Sequence, residues 1–277
     1  MTIQNQGDAD TLQSCKKWTG DVVIESTASG IIAIDYVEQI TGDLKCDNAT
    51  QLTSITSDQL NAIGGTWSLQ DLTILSNLQF DSLISVDQIF FQGLPALQGF
   101  NFAQGIQQAT NVLLSNTQLY DTSGLELVSV AILNINNNPF LGTVNVNNLK
   151  NVTNQLLFSA NAGNLQISFP NLEAAANMTL RNVSTVDMPS LSTVAGSMGF
   201  YSDVFESFSA PNLTSTGGTL AFVDCPSLSK LSFPMLTEIG GGMLLANNTD
   251  LLAISGFPKL ATIVGALDFA GTFGRLV

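Results

Sequence analysis

The feature that most limits what this chain can become is a line written five times between Pro170 and Phe269. Pro170, Pro189, Pro211, Pro234 and Pro258 are each followed two residues later by a leucine, at intervals of 19, 22, 23 and 24 residues between Leu172, Leu191, Leu213, Leu236 and Leu260. Behind the leucine come a small or branched residue, a glycine and a short apolar alternation. Leu191, Val194, Gly196, Met198 and Phe200 show it, as do Leu236, Ile239, Gly241, Met243 and Leu245, and Leu260, Ile263, Gly265, Leu267 and Phe269. One alternating strand per unit of about 20 to 25 residues specifies a solenoid, in which each turn buries its apolar face on the next.

The middle of the chain keeps the pattern less cleanly. Leu69, Leu72, Leu75, Leu78 and Phe80 make one unit; Ile89, Phe91, Leu94, Pro95 and Leu97 make the next, and Asn136-Asn137-Asn138-Pro139-Phe140-Leu141 is a further corner. All eight prolines stand two residues before a leucine, so proline serves as punctuation between strands. Alternation predicts an inward row of Met178 and Leu180, Met198 and Phe200, Leu220 and Phe222, Met243 and Leu245, and Leu267 and Phe269. The residues between them, Thr179, Gly199, Ala221, Leu244 and Asp268, face out. Gly240-Gly241-Gly242 lies between two such strands and reads as a tight corner with positive φ.

At the other end, Asp8 to Gln13 reads as a short capped helix with acidic residues at its positive end, covering the first open rung. Thr19-Gly20-Asp21 leads into Val22–Ile24 and Thr41-Gly42-Asp43 into Leu44–Cys46, a spacing of 22 residues that should stack the two triplets on neighbouring rungs. The expectation is therefore an all-β, right-handed parallel β-solenoid in a single domain over residues 1–277. Residues 1–18 form its N-terminal cap and residues 19–273 its repeats.

Charge narrows the functions open to such a fold. Charged residues are only 11% of the chain, and 22 acidic against 8 basic residues give a formal charge of −14. That balance repels phosphate backbones and excludes nucleic acid and anionic membrane surfaces as partners. There is no histidine, the commonest general base and metal ligand. Parallel β-helices do include polysaccharide-cleaving enzymes, which need clustered carboxylates. The nearest arrangement here is Asp21 stacked on Asp43 with Asp47 close by; as each stacked Asp follows a turn glycine, the simpler role is to satisfy loop amides. Arg181 and Lys150 have no acidic partner at rung spacing. No catalytic residue, metal site or cofactor site is expected.

Cys15 and Cys46 flank the first full turn, and a bridge between them would close a loop contributing about 3 to 4 kcal/mol; the alternative is two buried thiols. Cys225 occupies the loop position that Asp203 and Asn248 hold in adjacent units, and reads as an unpaired ladder residue. Six acceptor sequons begin at Asn48, Asn151, Asn177, Asn182, Asn212 and Asn247. A chain rich in Asn, Ser and Thr also makes such triplets by chance, but their recurrence beside the repeat leucines favours glycosylation. Tyr201 and Phe205 are the candidates for a binding spot at a loop edge. Sugar platforms need outward aromatics, and the outward row lacks them.

Leu12-x-x-Cys15 followed by Gly20-Asp21-Val-Val-Ile, with repeats of Pro-x-Leu-x-x-Val/Ile-x-Gly-x-Leu-x-Phe, resembles the receptor L-domain type of leucine-rich repeat. More closely, it is similar to the fungal GPI-anchored cell-wall-organisation proteins of the extracellular-matrix and sporulation-specific type, over about Ile3 to Phe273. The resemblance implies a non-enzymatic cell-surface glycoprotein, extracellular, at the fungal wall or the outer face of the plasma membrane. Its partners would be wall polysaccharide or wall and membrane proteins, with membrane contact only through a GPI anchor. Members of that family carry a secretory signal, a C-terminal cap with further cysteines, a Ser/Thr-rich stalk and a GPI tail. Here the chain starts at Met1 inside the cap and ends at Gly274-Arg275-Leu276-Val277 directly after a rung, so those segments are expected to be missing.

Overall fold

A computed structural model describes residues 1–271, Phe273 and the backbone of Arg275–Leu276; the rest of the tail Gly274-Arg275-Leu276-Val277 lies outside the described residues. It is a parallel β-solenoid of about twelve turns with one short N-terminal helix. Its contacts gather into two compact units, one of Met1–Val130 with Ile135–Leu141 and the other of Ala131–Asn134 with Gly142–Val277.

In the first unit, the strand Thr2–Ile3 pairs with Val23 and Ile24, and the helix Gln6–Asp10 comes next. The helix begins earlier than the sequence suggests. Its N-cap is Asn5, whose side chain accepts from the Asp8 amide (3.3 Å), while the Asp8 carboxylate reaches back to the Gln4 amide (2.8 Å). A 3-10 turn, Thr11–Ser14, completes the cap, and Ala9 and Leu12 are buried beneath it. As the 22-residue spacing requires, Val22, Val23 and Ile24 stand in register with Leu44, Lys45 and Cys46. The long strands Ala62–Gln70 and Ser85–Leu94 continue the wall, and Asn111–Thr117 extends it further. A second wall is made by Ser29–Ala33, Gln51–Ser57 and Asn77–Phe80. Between them Trp67 meets Phe80 at 4.5 Å, Phe91 at 5.0 Å and Phe102 at 5.6 Å between ring centroids. Its buried Nε1 has no hydrogen-bond partner.

In the second unit the inward and outward rows run as alternation dictates. Met178, Met198, Leu220, Met243 and Leu267 share one register line, and Thr179, Gly199, Ala221, Leu244 and Asp268 the next. The inward residues are buried up to Leu245; at the last described rung Phe269 is half-buried and Leu267 is 58% exposed. Phe200 and Phe222 stack at 4.6 Å, and Phe233 and Phe257 at 5.0 Å.

Proline punctuation has a specific form. In each of the eight Pro-x-Leu units the leucine amide donates to the carbonyl of the residue before the proline, from Leu97 to Leu94 through Leu260 to Phe257. Proline thus sits second in a β-turn, where its fixed φ fits and its missing N–H is not needed.

Gly240-Gly241-Gly242 corrects its sequence reading: none of the three has positive φ. Close approach between rungs demands them instead. A Cβ on Gly241 would stand 2.6 Å from the Gly218 carbonyl carbon, and one on Gly265 would stand 2.7 Å from that of Gly241. Left-handed backbone recurs at the strand ends of successive turns, at Asn48, Asp71, Gly93, Asn116 and Asn137 in the first unit, and at Ala160, Asn182, Ser202, Asp224 and Asn247 in the second. These positions favour Gly, Asn and Asp, which explains the polar residue that closes most strands.

Candidate functional site

The residue after each of these left-handed corners is buried, and Asn138, Asp203 and Asn248 there satisfy the backbone of the preceding rung. Asn138 accepts the Thr117 amide (3.0 Å) and hydroxyl (2.7 Å), and its Nδ2 donates to the Leu114 carbonyl (3.1 Å). In the second unit Asn248 repeats this, accepting the Cys225 amide at 3.0 Å and donating to the Phe222 carbonyl at 2.9 Å. Cys225 and Asp203 hold the same column, as their spacing suggested. Asp203 is fully buried; its Oδ1 accepts the Val183 amide at 2.7 Å, but its Oδ2 has no partner. Burial pushes its carboxyl up to about 7, against the pull of the Val183 and Tyr201 backbone and of Arg181.

Two aspartate pairs stack between rungs: Asp35 Oδ1 accepts the Asp58 amide (3.4 Å), with burial first and the Asp58 charge second raising the Asp35 carboxyl, and Asp21 stacks on Asp43 as the sequence suggested. Asp21 Oδ1 accepts the Asp43 amide (2.9 Å) and Asp43 Oδ1 accepts the Thr66 amide (2.7 Å), so each aspartate holds the turn of the next rung. Lys45 pairs with the other oxygen of Asp43. The Lys45 ammonium first and the Thr66 amide second hold the Asp43 carboxyl below its ordinary range. Among the described residues no three His, Cys, Asp or Glu side chains gather as metal ligands, and no helix is long and apolar enough to cross a membrane.

The outward row of the second unit is low and nearly uncharged. Above Gly199 lies the ring of Tyr201, which a Cβ there would meet at 2.5 Å, and the Arg181 guanidinium rests 4.3 Å over that ring. Arg181, isolated in the sequence, is therefore engaged by a π face. Phe205 is not a surface residue. It is 4% exposed and packs edge-on against Phe200 at 5.7 Å, inside the core.

All six sequon asparagines are exposed. Asn48, Asn182 and Asn247 occupy left-handed corners. Asn151 opens the strand Asn151–Ser159 and Asn177 lies near the middle of Ala174–Arg181; Asn212 falls on a proline turn. The Nδ2 of Asn177, Asn212 and Asn247 donates to the rung before, at 3.3, 2.8 and 2.9 Å.

Cys15 and Cys46 do not form the expected bridge: all three cysteines are free thiols. Register supplies the reason. Lys17 pairs with Gln39, so Cys15 stands opposite Val37, whereas Cys46 lies nine residues farther along that rung. The two positions thus fall on either side of the bend at Thr41-Gly42, which parts the strands Gln39–Ile40 and Leu44–Asp47, and a disulfide needs Cα atoms within about 7 Å. Burial pushes the Cys46 and Cys225 thiols up to about 12.

Sequence reasoning did not find the exposed aromatics of the first unit, Tyr36, Tyr120 and Phe140, which are 48%, 52% and 51% exposed. They sit at corners, where two-residue alternation gives no direction.

No protein-family model matches the chain, and no solved structure matches it. It is 44% identical to a cell surface GPI-anchored protein of Arthroderma benhamiae, over 99% of this chain and 70% of that one. To the protein ecm33 of Aspergillus fumigatus it is 41% identical, over 100% of this chain and 69% of that one. Sporulation-specific protein 2 of Saccharomyces cerevisiae is 35% identical over 99% of this chain, which spans 55% of that protein's length.

Proposed function

Because the chain belongs to the family of fungal GPI-anchored cell-surface proteins that includes ecm33 and the sporulation-specific proteins, we propose that it works without catalysis, as a glycosylated scaffold in cell-wall organisation. The observation that carries this is the identity of 44% along 99% of the chain to a protein named for the cell surface. Geometry agrees at the pair the sequence singled out: Asp21 and Asp43 are committed to backbone amides, and an aspartate that accepts an amide and a lysine is a poor proton donor to a substrate. All six sequons carry N-glycans in this reading. Asn48, Asn151 and Asn182 carry theirs at no cost to a rung hydrogen bond, whereas the other three give up one of two amide hydrogens and keep the other for the rung.

Deletion of the gene in its own fungus, scored as growth on the wall-stressing dye Congo red, tests the role. Hypersensitivity is expected, rescued equally by the wild-type gene and by one carrying Asp21→Asn and Asp43→Asn. Rescue that the double variant cannot provide, together with reducing ends released from wall glucan by the wild type alone, would reverse the non-catalytic assignment. Unchanged gel mobility of the secreted protein after endoglycosidase treatment would remove the glycans from the proposal.

A further inference from the structure

In the first unit the second wall loses its strand after Asn77–Phe80. Asn101 makes only an isolated bridge to Gln79, and beside it opens a groove of about 550 Å³ lined by Gln79, Asp81, Phe100, Asn101, Phe102 and Ser123. Its floor is aromatic. Phe100 and Phe102 stack at 4.9 Å with 5° between their planes, backed by Phe91 and Trp67. Gly124 keeps the far side open; its φ is +96°, and a Cβ there would press the Phe102 ring at 3.1 Å. The rim is polar and fixed. Gln79 Nε2 donates to both oxygens of Asp81 (3.1 and 3.3 Å), and Asn101 Nδ2 donates to Asn77 Oδ1 (3.0 Å). One rung on, the Tyr120 amide donates to the Gln98 carbonyl (3.1 Å), two residues before Phe100, and the exposed Tyr120 and Phe140 rings stand 6.3 Å apart; Tyr120 comes three residues before Ser123 of the groove lining.

Two features of the sequence say what such a groove can hold. From Cys46 to Leu149 there is no lysine or arginine, so an anionic ligand finds no counter-charge. Nor does any sequon begin between residues 49 and 150, although five begin between Asn151 and Asn247. The surface around the groove is left bare of the chain's own sugars. Apolar ring faces beside a carboxylate and two side-chain amides match a ligand with C–H faces and many neutral hydroxyls.

We infer that this groove binds a neutral hexose oligosaccharide. One pyranose rests on Phe100 and the next on Tyr120, with hydroxyls donating to Asp81 and exchanging bonds with the Gln79 and Asn101 amides. The inference rests on the wall role proposed above, which sets the chain among neutral polysaccharides.

The test is calorimetric titration of the full glycosylated chain with laminarihexaose, a stand-in for structural glucan, and with mannohexaose, a stand-in for the glycan of a neighbouring glycoprotein. Saturable one-site binding of either is expected. Tyr120→Ala and Asp81→Asn should each weaken it about three- to tenfold, the size of one stacking or one charge-assisted contact. Both side chains lie outside the core, so the melting temperature should not move, whereas Phe100→Ala also disturbs the aromatic cluster. No saturable heat with either sugar, equal affinity in both variants, or preferential binding of an oligolysine peptide would overturn the inference. The Congo red rescue by the wild-type gene is read separately: rescue without sugar binding defeats the groove alone, and failed rescue defeats the wall role.

Discussion

Asp203→Asn should stabilise the protein at neutral pH, and by an amount that grows with pH. The native site prefers a neutral group, since Asp203 is fully buried and one of its oxygens has no partner. Its carboxyl rises from 3.8 to about 7 on burial. At about 1.4 kcal/mol per unit, that rise of about three units is worth about 4 kcal/mol. The sign is set by which state holds the proton more tightly. Native Asp203 keeps its proton up to about pH 7 while the unfolded chain loses it near 3.8, so the contribution is fully present below pH 4 and is lost as pH rises to 7. Asparagine keeps the acceptor for the Val183 amide and supplies an Nδ2–H where Asn138 and Asn248 use theirs on a strand carbonyl; the equivalent carbonyl here is that of Leu180. Against the wild type, the variant should gain only about 1 kcal/mol from this source at pH 4.5 and about 4 kcal/mol at pH 8. Urea unfolding monitored by circular dichroism at both pH values measures the gap. A gap that does not widen between pH 4.5 and 8, or a variant less stable than the wild type at pH 8, would refute the assignment of a neutral carboxyl to this column.

Other perturbations separate the forces in the stack. Gly256 has φ +94° and a Cβ there would stand 2.0 Å from the Leu231 carbonyl oxygen, so Gly256→Ala should cost on the order of 3 to 5 kcal/mol in urea unfolding. Trp67→Ala should cost about 3 to 5 kcal/mol by the same measurement, whereas Trp67→Phe should cost under about 2, as the indole N–H has no hydrogen bond to lose. Dithiothreitol should leave the melting temperature unchanged, since the three thiols are free; a fall of several degrees would reveal a bridge.

The repeat, the register of the long strands and both faces of the second unit were legible in the sequence because they obey two rules, alternation and proline position. Met178 through Leu245 fell inside by counting alone, and the alternate register line was placed correctly, although Gly199 and Ala221 on it are buried. The corners were not legible in this way. At Gly240-Gly241-Gly242 the requirement was for space between neighbouring backbones and not for positive φ, and a run of glycines serves either. Phe205 and Phe140 both occur in corners, yet one packs against Phe200 and the other is 51% exposed. No local pattern distinguishes them, because direction at a corner depends on the residue count of the neighbouring turn. Cys15 and Cys46 failed for the same reason: they are close in rung number and far apart along the rung.

The column behind the left-handed corners shows how a chain with so few charges stays in register. Apolar rows alone would let one turn slide past another at little cost, since one leucine replaces another. A side chain that both accepts an amide and donates to a carbonyl of the preceding rung fixes the offset, as Asn138 does in the first unit and Asn248 in the second. Thr117 in the first unit, and Asp203 and Cys225 in the second, each follow a left-handed corner and can do only part of that work, Asp203 being able to donate only while it holds a proton. Register in this solenoid is thus set by a few buried polar groups per unit. The Asp203→Asn comparison probes one such position, and its growth with pH isolates the cost of the buried charge, since at pH 4.5 the protonated wild type carries a donor as the variant does.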